Sequence, residues 1–158
     1  MIERLQILIW YALVLILFLV IYAVTTSFNV AIVDAEFRGM EPTIEGGSIQ
    51  VVDRRHSTIR SLERDDVVCF RVHKRDKTKK LFGRVLATSG STVSYREKRL
   101  VVDGQEVADA PDELAVLQTG LIIPRDTVFA VFDSTRGGLP LADRLVRYAD
   151  VVGRVMWK

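Results

Sequence analysis

A chain of 158 residues with a formal net charge of +2 has room for one modest domain and one membrane anchor, because domains commonly run to about 100–150 residues. So small a charge excess argues against nucleic acid, whose phosphates call for a clustered basic surface. With Cys69 as its one cysteine, the chain cannot form an internal disulfide, and its fold must rest on its core.

From Leu5 to Asn29 no residue is charged, and Ile7 to Val24 is an unbroken run of Ile, Leu, Val, Phe, Ala, Trp and Tyr. At about 1.5 Å per residue that run spans about 27 Å, and a frayed turn at each end brings a helix to the ~30 Å hydrocarbon thickness. A cleaved secretory signal has a shorter apolar core, roughly 7–15 residues, and no clean small-x-small site follows this run. Residues 1–29 are therefore expected to form a short N-terminus and transmembrane anchor, and 30–158 an extracytoplasmic domain, since ordinary charged composition returns at Asp34. The flanks carry Arg4, offset by Glu3, and then Arg38; the preferred orientation is single-pass in the cytoplasmic membrane with the N-terminus inside. Trp10, Tyr11 and Tyr22 need no role beyond lipid-facing or interfacial aromatics.

After the anchor the pattern is that of β structure. Val30–Phe37, Ile49–Asp53, Asp66–Val72, Leu81–Ala87, Thr92–Tyr95, Leu100–Val102, Thr127–Phe132 and Val151–Trp157 are short Val-, Ile- and Phe-rich runs set off by Gly, Asp, Ser or charges. They predict a mostly β domain, a small barrel or coiled sheet. Val102-Asp103-Gly104-Gln105 predicts a hairpin, because Asp-Gly supplies the positive φ angles of a tight primed turn. Asp112–Leu117 is expected to make one helical turn.

Two stretches are rich in charge. Arg54–Asp66 is mixed in sign and reads as a solvated connection. His73–Lys80 is basic, with Lys74, Arg75, Lys77, Lys79 and Lys80 against Asp76; it reads as an exposed hairpin tip, with contact to anionic lipid or a partner as the functional alternative. His56 and His73 lie in or beside these connections and read as solvated. No metal-ligand cluster and no Gly-rich phosphate loop is present in the sequence, so neither metal, cofactor nor small-molecule substrate is expected.

Just past the anchor stands Gly39-Met40-Glu41-Pro42-Thr43. This resembles the Ser-Met-x-Pro-Thr motif of the type I signal peptidases, membrane-bound serine proteases that remove leader peptides, and it matches at every position but the first. Gly83-Arg84-Val85-Leu86-Ala87 followed by Gly90-Ser91 is similar to the family's Lys-Arg-Val-x-Ala and Gly-Asp block, with Gly83 where the lysine would stand. Leu100 to Gly104 looks like the family's strand and Asn-Gly hairpin. Val131-Phe132-Asp133-Ser134, Asp143-Arg144 and Val151 to Val155 look like a worn version of its last block and closing strand. The matches fall in the family's order along nearly the whole chain.

The resemblance implies a Ser/Lys dyad whose two positions are both glycine here. A serine hydroxyl needs a base to take its proton, and a lysine serves only when burial lowers its pKa; glycine supplies neither oxygen nor amine. Loss of one member of such a unit costs on the order of 10⁶ in turnover. Lys80 is out of register with Gly83 on a strand, and Lys79 lies about 13 Å away by strand rise, so neither replaces the base. Ser48 and Thr43 read as turn and cap residues and Cys69 as a small hydrophobe. Phe37 falls where the family has a small residue near its oxyanion corner, and either fills part of the former cleft or faces core or bilayer.

The expectation is thus a pseudoenzyme: no catalytic residues, with Phe37, Met40, Pro42, Thr43, Arg84, Asp133, Ser134, Asp143 and Arg144 as remnants of the cleft and its motifs. Its expected partners are protein subunits of a membrane or exported assembly, a pilus for example, reached by strand addition in the cleft. The rival is an active peptidase with its nucleophile relocated to Ser48 or Cys69.

Overall fold

A computed structural model describes residues 2–55, 62–74, 77–109, 112–134 and 140–156. The apolar run forms one helix, α1, Ile2–Ser27, of which Gln6–Ser27 is long and apolar enough to cross a membrane and has no buried residue. The Thr25 and Thr26 hydroxyls donate back to carbonyls of the preceding turn, which satisfies polar groups that lipid would leave unmet. No linker follows. Strand β1, Phe28–Ile32, begins at the next residue, and the Arg54 amide donates to the Ser27 carbonyl at 2.9 Å. The Arg55 guanidinium lies 5.0 Å above the Phe28 ring.

The remaining strands are β2 Ile49–Asp53, β3 Val67–Lys74, β4 Lys77–Ala87, β5 Thr92–Arg96, β6 Arg99–Val102, β7 Gln105–Asp109, β8 Leu121–Ile122, β9 Thr127–Val131, β10 Leu145–Arg147 and β11 Val151–Val155. They build a seven-stranded sheet in the order β1-β2-β11-β3-β4-β9-β10 and a four-stranded sheet in the order β7-β6-β5-β8. The mostly β expectation holds, as two open sheets: β1 and β10 are end strands of the larger one.

Alternation along β3 and β4 divides the core between two faces. Val68, Phe70 and Val85 join one apolar cluster with Val128, Val146 and Tyr148. Cys69 and Phe82 join another with Met40, Ile44 and Val52. A third, around Leu100, Leu114 and Phe129, holds the smaller sheet to β9. Gly153 is required by close approach, since a Cβ there would stand 2.3 Å from the Asp53 carbonyl oxygen, at the point where the β11–β3 register shifts.

Several expected boundaries move. The strand expected over Val30–Phe37 occupies Phe28–Ile32 instead, because the Asp34 carboxylate accepts from the Glu36 amide and the Asp34 carbonyl from the Phe37 amide, closing a turn. The hairpin at 102–105 is as expected, with Asp103 and Gly104 at φ +50° and +86°. The helical turn is a 3-10 stretch, Asp112–Thr119. β3 and β4 run further into the basic stretch than their apolar residues indicated, reaching Lys74 and Lys77. The middle of the Arg54–Asp66 connection, with His56, lies outside the described residues, as does Trp157.

Candidate functional site: a glycine corner and its groove

Residues 38–44 form a compact turn. The Ile44 amide donates to the Met40 carbonyl at 2.8 Å, the Arg38 guanidinium pairs with Glu41, and the Glu41–Pro42 peptide is cis. Met40 and Ile44 are buried and anchor the turn to the Cys69–Phe82 side of the sheet. Pro42 and Glu41 remain toward solvent. The turn is thus held from beneath by its apolar members.

Gly39 is buried within it. Its carbonyl accepts from the Ser134 amide at 2.9 Å, which ties the turn to the chain leaving β9. The rings of Phe37 and Phe132 meet edge to face with centroids 5.4 Å apart, and both stand over Gly39: a Cβ there would lie 2.9 Å from Phe37 Cζ and 3.0 Å from two Phe132 ring carbons. Gly83 sits on β4, where a Cβ would lie 3.1 Å from Phe70 Cε1 and 3.3 Å from the Val131 carbonyl oxygen. The two glycines therefore border adjacent residues at β9's end, Val131 and Phe132, and both positions are packed to the limit of what a hydrogen fills.

Beside this corner a polar cluster joins three segments. Arg84 Nε donates to Asp133 Oδ1 at 2.8 Å and Nη2 to Oδ2 at 2.6 Å, a bidentate pair. The Thr43 hydroxyl donates to Asp133 Oδ2, and Arg84 Nη1 reaches the Asp65 carbonyl at 3.1 Å. Burial alone would push the Asp133 carboxyl up, but hydrogen bonds from Arg84 and Thr43 and the guanidinium charge outweigh it and hold the group below its ordinary value. The cluster fastens the motif turn to β4 and to the exit of β9.

Asp143 and Arg144 are placed elsewhere. They close the short helix α2, Leu141–Arg144, where Arg144 is buried; Asp143 lines a small groove of about 180 Å³ with Arg71, His73 and Asp150. Residues 135–139, between these and Ser134, lie outside the described residues.

A larger groove, about 760 Å³, runs between residues 32–37 on one wall and Thr78–Leu81 on the other, with Phe37 at its end. The second wall is a free strand edge, whereas the first is the last residue of β1 and the turn that follows it. β1 ends its sheet, and β9 pairs with β4 only at Arg84, Val85 and Ala87, so the outer edge of Thr78–Phe82 has no strand beside it among the described residues. Phe132 as the second ring of the corner, and this groove, lie beyond what the sequence pattern reveals; the alternation placing Phe132 beside Gly39 becomes readable only when the end of β9 is known.

The sequence profile of the family described as "Signal peptidase, peptidase S26" matches residues 7–135, most of the chain. The chain belongs to that family. Signal peptidase I V of Bacillus subtilis (strain 168) is 30% identical over 83 residues, 51% of this chain and 48% of that protein. The chain thus spans about half the length of this curated relative. A crystal structure of a signal peptidase I from Enterococcus faecalis V583 is similar with a TM-score of 0.45 at 20% identity, covering 61% of this chain and 98% of that one.

Within this signal peptidase family member the alternative nucleophiles are engaged or inaccessible. Ser48 Oγ donates to the Glu45 carbonyl at 2.6 Å and accepts from Gln50 Nε2 at 3.1 Å. Cys69 is fully buried, and burial, partly offset by Lys80 and Arg71, pushes its thiol up to about 11. His73 contacts the Thr78 hydroxyl at 3.0 Å and Asp150 at 3.4 Å, at the far end of the β3–β4 hairpin from Gly83.

Proposed function

We propose that this chain is a non-catalytic member of the signal peptidase family that binds a peptide or protein partner, as an accessory or structural subunit of a membrane or exported assembly. The observation that carries the proposal is the packing of the corner. Where the family motif has serine and lysine there is glycine, and at each position neighbouring groups already crowd the place of a Cβ to about 3 Å, so neither a nucleophile nor its base has room without rearrangement. The groove supports the binding half of the reading. An extended segment laid along the unpaired edge of β4 at Thr78–Phe82 would satisfy its outward amides and carbonyls and extend the sheet. In this reading α1 anchors the assembly in the cytoplasmic membrane, with the β domain on the extracytoplasmic side.

The test is turnover. Purified full-length protein in mild detergent, supplied with a leader-peptide substrate, is expected to give no cleavage above background, and Ser48→Ala and Cys69→Ala are expected to change nothing. Cleavage abolished by either substitution would sink the proposal in favour of a relocated nucleophile. Co-purification of a partner from native membranes tests the other half, and recovery of the chain alone would count against a stable complex.

A further inference from the structure

Three cations of β3 and β4, Arg71, Lys79 and Lys80, make no direct ion pair among the described residues. The register of the two strands puts Arg71 directly opposite Lys80, a like-charge cross-strand pair of the kind that destabilises a sheet. Arg71, Lys79 and Lys80 are exposed, and among the described residues none of them makes a side-chain hydrogen bond or ion pair. Lys79 and Lys80 also line the large groove, on the wall formed by the free edge of β4. Successive residues of a strand point to opposite faces, so these two lysines flank that edge from both sides.

From this we infer that the groove takes an extended acidic peptide, paired along Thr78–Phe82, with carboxylates beside Lys79 on one face and Lys80 on the other. The inference rests on the reading of the chain as a non-catalytic binder and names the class of ligand. A strand added to the edge places its own side chains alternately on the two faces as cross-strand neighbours of the lysines, where opposite charges attract. The facing wall, largely a turn rather than a strand edge, reinforces the choice of β4. It carries Asp34 and Glu36, which would repel a carboxylate, so an acidic strand is driven toward β4. Anionic lipid would satisfy the lysines, but a headgroup cannot use a row of free backbone amides and carbonyls, and the lysines sit on the wall of a concave groove.

The experiment uses the full chain in nanodiscs of zwitterionic phosphatidylcholine. Peptides of about eight residues, long enough to cover the free edge, alternate Val or Thr with pairs of Glu; companions have Gln for every Glu. The Glu peptide is expected to bind at least about tenfold more tightly. The preference should shrink as salt rises from about 50 to about 500 mM, because the lysines are exposed. Lys79→Glu with Lys80→Glu should abolish the preference, and the pair is compatible with the fold because it relieves the repulsion with Arg71. Arg125→Glu, a single charge reversal just before β9 near the opposite end of β4, should leave it intact, and either charge-neutral companion, Lys79→Gln or Lys80→Gln, should leave peptide binding itself in place. Backbone N-methylation at alternate positions of the peptide should remove binding if strand pairing holds it. Equal binding of the Glu and Gln peptides overturns the acidic preference while leaving peptide binding in place. Binding of neither overturns the groove reading as well. Loss of the preference when phosphatidylglycerol replaces part of the disc lipid assigns the lysines to the membrane and also overturns the inference.

Discussion

Two neighbouring regions meet at the exit of β9 and are built in opposite ways. At the glycine corner the space beside the backbone is filled by carbon: Phe37, Phe132 and Phe70 close on Gly39 and Gly83. Close by in each segment, the polar cluster has its full set of partners. Arg84 follows Gly83, Asp133 follows Phe132, and the two form a bidentate pair completed by Thr43. The contrast sets a part of the motifs held by polar partners against a part held by packing alone. Arg84, Asp133 and Thr43 tie three segments together whether or not anything is cleaved, whereas under the proposed reading Gly39 and Gly83 mark positions given over to packing.

The comparison is broken most severely from the cluster side. Asp133→Ala leaves the Arg84 guanidinium, whose side chain is 23% exposed, without its carboxylate, and losing a hydrogen-bonded charged partner at a largely covered site costs about 2–3 kcal/mol. Denaturant unfolding of the full chain in detergent should register that loss, and an effect below about 0.5 kcal/mol, the size expected at an ordinary surface position, would show that the cluster is ornamental. The same carboxylate predicts a pH dependence. Its folded pKa lies below the ordinary 3.8, so the unfolded chain takes up the proton first as pH falls. The stabilisation is present above about pH 4 and disappears as pH drops through the lower, folded value; the Asp133→Ala protein should lack that acid-side slope.

The corner should respond less. Gly39→Ser must push the Phe37 and Phe132 rings outward by a few tenths of an ångström, and overpacking of this kind costs about 1–3 kcal/mol. Phe37→Ala opens the same space, so the double variant should be less destabilised than the two single changes summed, a coupling that a double-mutant cycle reads directly. Strict additivity would mean that the ring does not close the corner. Restoring the dyad residues by Gly39→Ser with Gly83→Lys is expected to give no leader-peptide cleavage while Phe37 remains, since the incoming groups have no room to meet.

The parts of this arrangement legible in the sequence are those governed by short-range pattern. Ile49–Asp53 and the Asp103-Gly104 hairpin follow from alternation and turn chemistry alone, and both stand as expected. The two-residue strand β8 and the three-residue β10 are too short to show a period, and long-range pairing makes them strands. The basic ends of β3 and β4 are hidden for another reason: beyond the core both faces meet water, so no apolar alternation marks a strand that backbone pairing nonetheless extends. At the site, the motif resemblance brings Gly39, Thr43, Gly83, Arg84 and Asp133 to one place, and the structure gathers them. Asp143 and Arg144 fall on α2 beside β9 and β10 instead. Which side of Gly39 the Phe37 ring covers depends on the turn at Asp34 and on Phe132, far along the chain but only 5.4 Å away in space, and no local signal carries that information.

The smallest and sharpest test removes one hydroxyl from the cluster. Thr43→Val keeps the shape of the side chain and deletes the group that donates to Asp133 Oδ2, while the bidentate Arg84 pair stays. A single hydrogen bond to a charged acceptor that retains two others is worth about 1 kcal/mol, so stability at neutral pH should fall by about that amount and no more. The pH profile then distinguishes a bonded hydroxyl from a merely packed one. The Thr43 donor is one of the groups that lower the Asp133 pKa, and without it the folded carboxyl takes up its proton at a higher pH, closer to the unfolded value. The acid-side loss of stability should therefore be shallower in Thr43→Val than in the parent, and absent in Asp133→Ala. If Thr43→Val reproduces the parent's slope, the hydroxyl contributes packing alone, and the cluster's hold on the motif turn reduces to the Arg84–Asp133 pair and the Ser134 to Gly39 backbone bond.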